Sequence, residues 1–185
     1  SIPDNVDGTN TEDAETELEN AKKDAKRLKA SFKKNTKKSK IEKLKANKKN
    51  TKNKETLYGI IGLGRFGFAL AQTLAESGKE ILVIDRDQDK INAAAAFTDN
   101  AFCIDNLTRE NLETVGIADC DIVVVAIGEQ IDTSILTTLT VLRLGVGRVI
   151  AKARSEEQGE VLTTLGAEVV YPEKDMAIRL AHRLT

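Results

Sequence analysis

The residues best placed to do chemistry are Gly62-Leu63-Gly64-Arg65-Phe66-Gly67, which stand between a short apolar run and a stretch with helical spacing. In that setting each glycine has a physical task. Gly62 permits a tight turn, Gly64 lets a pyrophosphate approach bare backbone, and Gly67 lets a helix pack close to the preceding strand. The unpaired N–H groups of the first helical turn, at the positive end of the helix dipole, then hold the phosphates. Asp85 follows Gly64 by 21 residues and closes the next apolar run. A carboxylate there accepts hydrogen bonds from both ribose hydroxyls of an adenosine, and its charge opposes the 2′-phosphate of NADP, an opposition that Arg86 partly offsets. The plainer alternatives are that the glycines serve turn geometry only and that Asp85 is a turn or helix-capping carboxylate.

Arg65 is the unusual member of the loop. A guanidinium here can make a bidentate charged contact with a terminal phosphate, in its own subunit or a neighbour's, which favours ATP or ADP over a dinucleotide such as NAD(H). Its bland alternative is a solvated arginine at a helix start. Further along, Asp105 and Asn106 follow the third apolar run and are placed to read the adenine amine. Thr108 can equally be a helix N-cap with Asn111 behind it. Ala126-Ile127-Gly128 ends the fourth run, where Gly128 lets a ligand approach closely.

The elements that must position these residues are legible as alternating patterns. Apolar runs at Leu57–Ile61, Ile81–Ile84, Ala101–Ile104, Ile122–Ile127, Arg148–Ala153 and Glu168–Tyr171 read as strands. Stretches at Phe66–Ser77, Asp89–Phe97, Thr108–Val115, Asp132–Leu144, Glu156–Leu165 and Glu173–Leu184 read as helices, several stopped by glycine. Strand and helix alternate six times, which predicts an α/β, Rossmann-like, doubly wound parallel sheet of six strands. The run Ile122–Ile127 is the most apolar and reads as a central strand buried on both faces.

The formal net charge of −1 and the 41% hydrophobic content conceal a segregated chain. Residues 1–20 carry seven acids and no Lys or Arg, residues 21–56 carry sixteen bases and three acids, and residues 57–185 have a formal charge of −7. We therefore divide the chain into a charged leader, 1–56, and a nucleotide-binding lobe, 57–185. In the leader, residues 1–15 read as disordered. Leu18, Ala21, Ala25, Leu28 and Phe32 form a thin helical stripe, suited to a solvated linker, a short coiled coil or a docking helix. The Lys- and Asn-rich residues 33–54 read as a solvated tether, with a contact to anionic lipid or to nucleic acid as alternatives. A single aromatic residue, Phe32, in the Lys-rich stretch argues against single-stranded nucleic acid.

Cys103 and Cys120, with one histidine in the whole chain, do not make a zinc pattern; both read as reduced thiols in or near the core of a cytosolic protein. No apolar run approaches the roughly 20 residues of a membrane span, and the acidic N-terminal residues do not resemble a signal peptide. The helical pattern is still running at Thr185, so further chain is expected beyond it. His182 reads as a surface residue of that last helix.

Taken together, Ile60 to Gly67, Asp85, Val124 to Gly128 and Pro172-Glu173-Lys174-Asp175-Met176 resemble the KTN/RCK regulatory domains of potassium transporters and channels, of the KtrA and TrkA type and closer to KtrA. That resemblance covers residues 57–185. It implies a cytoplasmic regulator at the inner face of the cell membrane that binds ATP or ADP, with NAD(H) as the alternative, and gates a membrane pore for potassium. It further implies homodimers that assemble into an octameric ring. The helix from Glu173 would be a crossover element exchanged between subunits. Glu173 matches a position where Mg²⁺ or Ca²⁺ is held near the nucleotide phosphates; as an alternative it is a carboxylate favoured by the helix dipole. The leader falls outside the family pattern, and the second lobe usual in the family is missing from these 185 residues.

Two other functions fit parts of the sequence. An NAD-dependent oxidoreductase would require a catalytic partner for the lone histidine, and no acid–base constellation accompanies it. A nucleic-acid-binding protein would depend on the Lys-rich tail and leave the glycine loop incidental.

Overall fold

The run Leu57–Ile61 forms strand β1, and its neighbours in space are the two other most apolar strands, β2 (Glu80–Asp85) and β4 (Ile122–Val125). The computed structural model describes residues 54–185; the expectations placed on the charged leader before residue 54 lie outside the described residues. The remaining strands are β3 (Ala101–Cys103), β5 (Arg148–Lys152) and β6 (Glu168–Val170). All pairings are parallel, in the order β3-β2-β1-β4-β5-β6. The expected six-stranded, doubly wound parallel sheet is thus observed.

Among the described residues, five helices connect and cover the strands, α1 (Arg65–Glu76), α2 (Gln88–Ala94), α3 (Arg109–Val115), α4 (Ile131–Arg143) and α5 (Glu156–Leu165), and a sixth, α6 (Pro172–Leu184), follows the last strand. A 3₁₀ turn, Ile117–Asp119, leads into β4. Strand residues alternate between two cores. Ile60, Ile81 and Val83 pack with Leu63, Ala71, Ile91 and Ala94 under α1 and α2. Ile61, Leu82, Ile84, Val123, Val125, Val149 and Ala151 pack with Leu112, Val141 and Leu162 under α3, α4 and α5. β4 is buried from Val123 to Val125, as a central strand between two layers must be.

Several expected boundaries shift by one to three residues, because helix ends follow cap geometry, which hydropathy does not report. Asp87 accepts from the Asp89 N–H and starts α2 a residue early. Cys103 departs from expectation more substantively: Cys120 is buried, but Cys103 is exposed. It is the last residue of the three-residue edge strand β3, and its Sγ donates to the Arg86 carbonyl at 3.4 Å. Burial, with help from Asp119 and Asp121, pushes the Cys120 thiol up to about 12. His182 lies on α6 and is exposed, as expected.

Candidate functional site

The sheet order reverses between β1 and β4, the point where open α/β sheets leave a crevice at their C-terminal ends. The sequence-predicted residues converge on that end. Gly62 follows β1 with φ +99°, a conformation that favours glycine, and a Cβ on it would lie 2.9 Å from the Ala126 carbonyl oxygen. A Cβ on Gly67 would drive into the Gly62 carbonyl, so the first turn of α1 can lie this close to β1 only without a side chain. These two glycines are required by the protein itself.

Gly64 is different. Its φ of −68° suits any residue, and a Cβ there would meet nothing within 4 Å. It is the N-cap of α1, makes no side-chain cap, and no acid occupies the first turn of the helix. The first turn therefore offers backbone N–H groups and the positive end of the dipole to open space. Arg65 opens the helix and is exposed; Phe66 is half-buried and Leu63 is buried in the α1 core.

Asp85 fastens this loop to the sheet. Its Oδ2 accepts from the Leu63 N–H at 2.6 Å and its Oδ1 from the Asp87 N–H at 2.8 Å. Both oxygens retain lone pairs, so the carboxylate sets the loop's shape and can still accept from a sugar. The ribose-binding reading and the turn-carboxylate reading are therefore compatible. Arg86 is exposed beside it. Asp105 and Asn106 line an open depression of about 340 Å³ together with Cys103, Ile104, Asn111 and Thr114. Thr108 does cap α3, accepting from the Asn111 N–H at 3.2 Å, and the Asn111 side chain donates to the Asn106 carbonyl at 2.8 Å. Across the crevice, the Ala126 N–H donates to the Ile61 carbonyl at 2.7 Å, which places Ala126, Ile127 and Gly128 beside the glycine loop.

Two residues that sequence reasoning missed stand at this loop. Arg154 Nη1 donates to the Gly128 carbonyl at 3.2 Å. Lys152 Nζ lies 3.7 Å from where a Gly128 Cβ would be, and pairs with Glu173 Oε1 at 3.1 Å. A lysine closing the apolar stretch Val149–Ala151 was the available signal: a charge at the C-terminal end of a buried parallel strand needs a partner. The Glu173 backbone N–H, Lys152 and Arg154 together hold the Glu173 carboxyl below the usual glutamate range. Among the described residues no three His, Cys, Asp or Glu side chains gather as a metal site. A lone carboxylate already neutralised by an ammonium is a poor fit to a divalent cation, which takes several oxygen donors.

With this geometry in view, the comparisons with known proteins are specific. The TrkA-N domain family matches residues 58–172. The Ktr system potassium uptake protein C of Bacillus subtilis is 41% identical over 128 residues, which are 69% of this chain and 58% of that protein. The Ktr system potassium uptake protein A of Vibrio alginolyticus is 37% identical over the same shares. This chain thus spans less than two thirds of these relatives. Among solved structures, the GsuK channel bound to NAD superposes with TM-score 0.53 at 27% identity, covering 64% of this chain and 21% of that one. GsuK bound to ADP gives TM-score 0.52 at 27% identity, covering 63% and 30%.

Proposed function

Because the chain belongs to the TrkA-N domain family, we propose that it is a ligand-sensing regulator of potassium transport whose crevice binds an adenine nucleotide, ATP or ADP, and which acts without catalysing a reaction. The observation that carries this reading is Gly64. It is the one glycine of the loop that the protein's own packing does not require, and it faces an uncapped helix N-terminus. A glycine whose missing side chain leaves open space beside the first-turn backbone donors suits a phosphate group that must come close. The Ktr relatives support potassium uptake as the process regulated.

In this reading the glycine loop from Gly62 to Gly67 holds the phosphates. Asp85 accepts from the ribose, Asp105 and Asn106 face the base, and Gly128 leaves room opposite. Arg65 reaches the terminal phosphate. Regulation needs only that ATP and ADP differ in affinity for two assembly states, so that exchanging them shifts an interface equilibrium. The exposed apolar residues of α6, Met176, Ile178, Leu180 and Leu184, suit a contact with a second copy. The resulting dimer, its ring, a membrane-embedded pore as partner and a cytoplasmic location at the membrane's inner face complete the proposal. The divalent cation would require donors from nucleotide phosphates and a second copy, because this chain supplies one paired carboxylate.

NAD(H) is the second reading, favoured by the NAD bound in GsuK. Calorimetric titration of the chain with ATP, ADP, NAD and NADH separates the two. Tighter binding of the adenine mononucleotides is expected, and the Arg65→Ala variant should lose about tenfold for ATP and less for ADP. A preference for NADH, or equal losses for ATP and ADP, would reject the role given to Arg65.

A further inference from the structure

Lys152 has two claims on its ammonium group. Its side chain is 13% exposed while that of its partner Glu173 is 71% exposed, so the lysine is the sheltered member and the carboxylate the accessible one. Sheltering an ammonium from water is costly unless a counter-charge lies nearby. Glu173 now supplies it from the first turn of α6. The site of the ammonium is nonetheless the crevice: β5 pairs with β4 through Val125 and Ala151, which puts Lys152 level with Ala126, and its Nζ lies against Gly128. The glycine loop joins β1, one strand further, so its phosphate position and the Lys152 backbone are about two strand spacings, ~10 Å, apart. An extended lysine side chain spans most of that gap.

Resting on the nucleotide reading above, we propose that Lys152 is a phosphate-tail specificity residue that exchanges partners: the terminal phosphates of a nucleotide draw it off Glu173, and the first turn of α6 loses its tie to β5 while Lys174 still holds Glu156. The pair is then a latch between the crevice and the helix that presents the exposed apolar face. A long phosphate tail opens it because its charge reaches the ammonium, and a monophosphate leaves it closed. Arg154, bound to the Gly128 carbonyl, keeps the neighbouring loop fixed during the exchange, so the release is confined to Glu173 and α6. The observed poor fit of Glu173 to a divalent cation follows as well: while the latch is closed, an ammonium sits where a cation would have to approach.

The two halves of the pair should respond with opposite signs. Binding of ATP, ADP and AMP to the full chain is measured by calorimetry in EDTA, with thermal melts of every variant as a check on folding. Lys152→Met is expected to lose about tenfold for ATP, with little loss for AMP, and Lys152→Arg to restore most of it. Glu173→Gln removes the competitor and is expected to tighten ATP several-fold while leaving AMP unchanged. A bridge with only a structural role would lower stability in both variants and leave the ATP-to-AMP ratio untouched; that result overturns the latch. Should Lys152→Met not fold, the Glu173→Gln ratio decides alone, and an unchanged ratio rejects the proposal. Failure of the wild type to bind any adenine nucleotide would reject the underlying reading, whereas wild-type ATP binding with unchanged ratios would reject the latch only.

Discussion

Gly64 and Gly67 are three residues apart and carry the same side chain, yet the structure asks different things of them. Gly67 is fixed by the Gly62 carbonyl it lies against, and Gly64 by nothing inside the protein. A sequence motif treats them alike, so the distinction between a glycine needed for packing and one left open for a ligand had to come from coordinates. Asp85 shows the same limit. Its spacing from the loop was legible, but its bond to the Leu63 N–H, which shapes the loop, was not. The cysteines give a prediction at this scale. Cys103 is exposed in the Asp105–Asn106 depression, and Cys120 is buried with its thiol pushed up to about 12. Thiolate is the reactive form, so mass spectrometry after iodoacetamide treatment of the native protein should find Cys103 modified and Cys120 untouched, with ATP slowing the reaction at Cys103. Modification of Cys120 at a comparable rate would contradict its burial in the core beneath β1.

The elements were legible because their hydrophobic periods were clean. The six strands appeared as short apolar runs, and Glu156–Leu165 agrees to the residue, since Ser155 caps it and Gly166, with φ +105°, ends it. What hydropathy could not show is how α6 is seated. Its carboxylate Glu173 reaches Lys152, its Lys174 pairs with Glu156 at 2.7 Å and lies 5.5 Å from the centre of the Tyr171 ring, and no residue of the helix is buried. Tyr171, the residue before α6, packs on Gly159 of α5, where a Cβ would drive into the phenol oxygen. We expect Gly159→Ala to displace Tyr171 and to cost about 1–3 kcal/mol in urea unfolding, the usual penalty for overpacking. A change in tyrosine near-ultraviolet dichroism should accompany it. An unaltered melt and spectrum would show that α6 does not depend on this contact.

At the scale of the whole molecule, the alternation of strand and helix made the parallel six-stranded sheet legible in advance, whereas its order, with the reversal between β1 and β4 that leaves a crevice, is seen only in the fold. The Lys152–Glu173 latch could not be read in advance either, because it joins residues whose proximity exists only after β5 and α6 are in place. That Met176, Ile178, Leu180 and Leu184 of α6 are exposed among the described residues is likewise a property of the fold. A ligand that binds the folded crevice stabilises the entire domain, by about 2.7 kcal/mol at a hundredfold excess over Kd. Gly64→Ala puts a methyl group into the space where the phosphate would lie, and its backbone angles accommodate alanine, so stability without ligand should change by less than about 1 kcal/mol. The most direct test is therefore the thermal unfolding of wild type and Gly64→Ala with and without millimolar ATP. Without nucleotide the two melting temperatures should be equal; with ATP the wild type should rise clearly and the variant should not. An equal rise in both proteins would contradict a phosphate seated at Gly64.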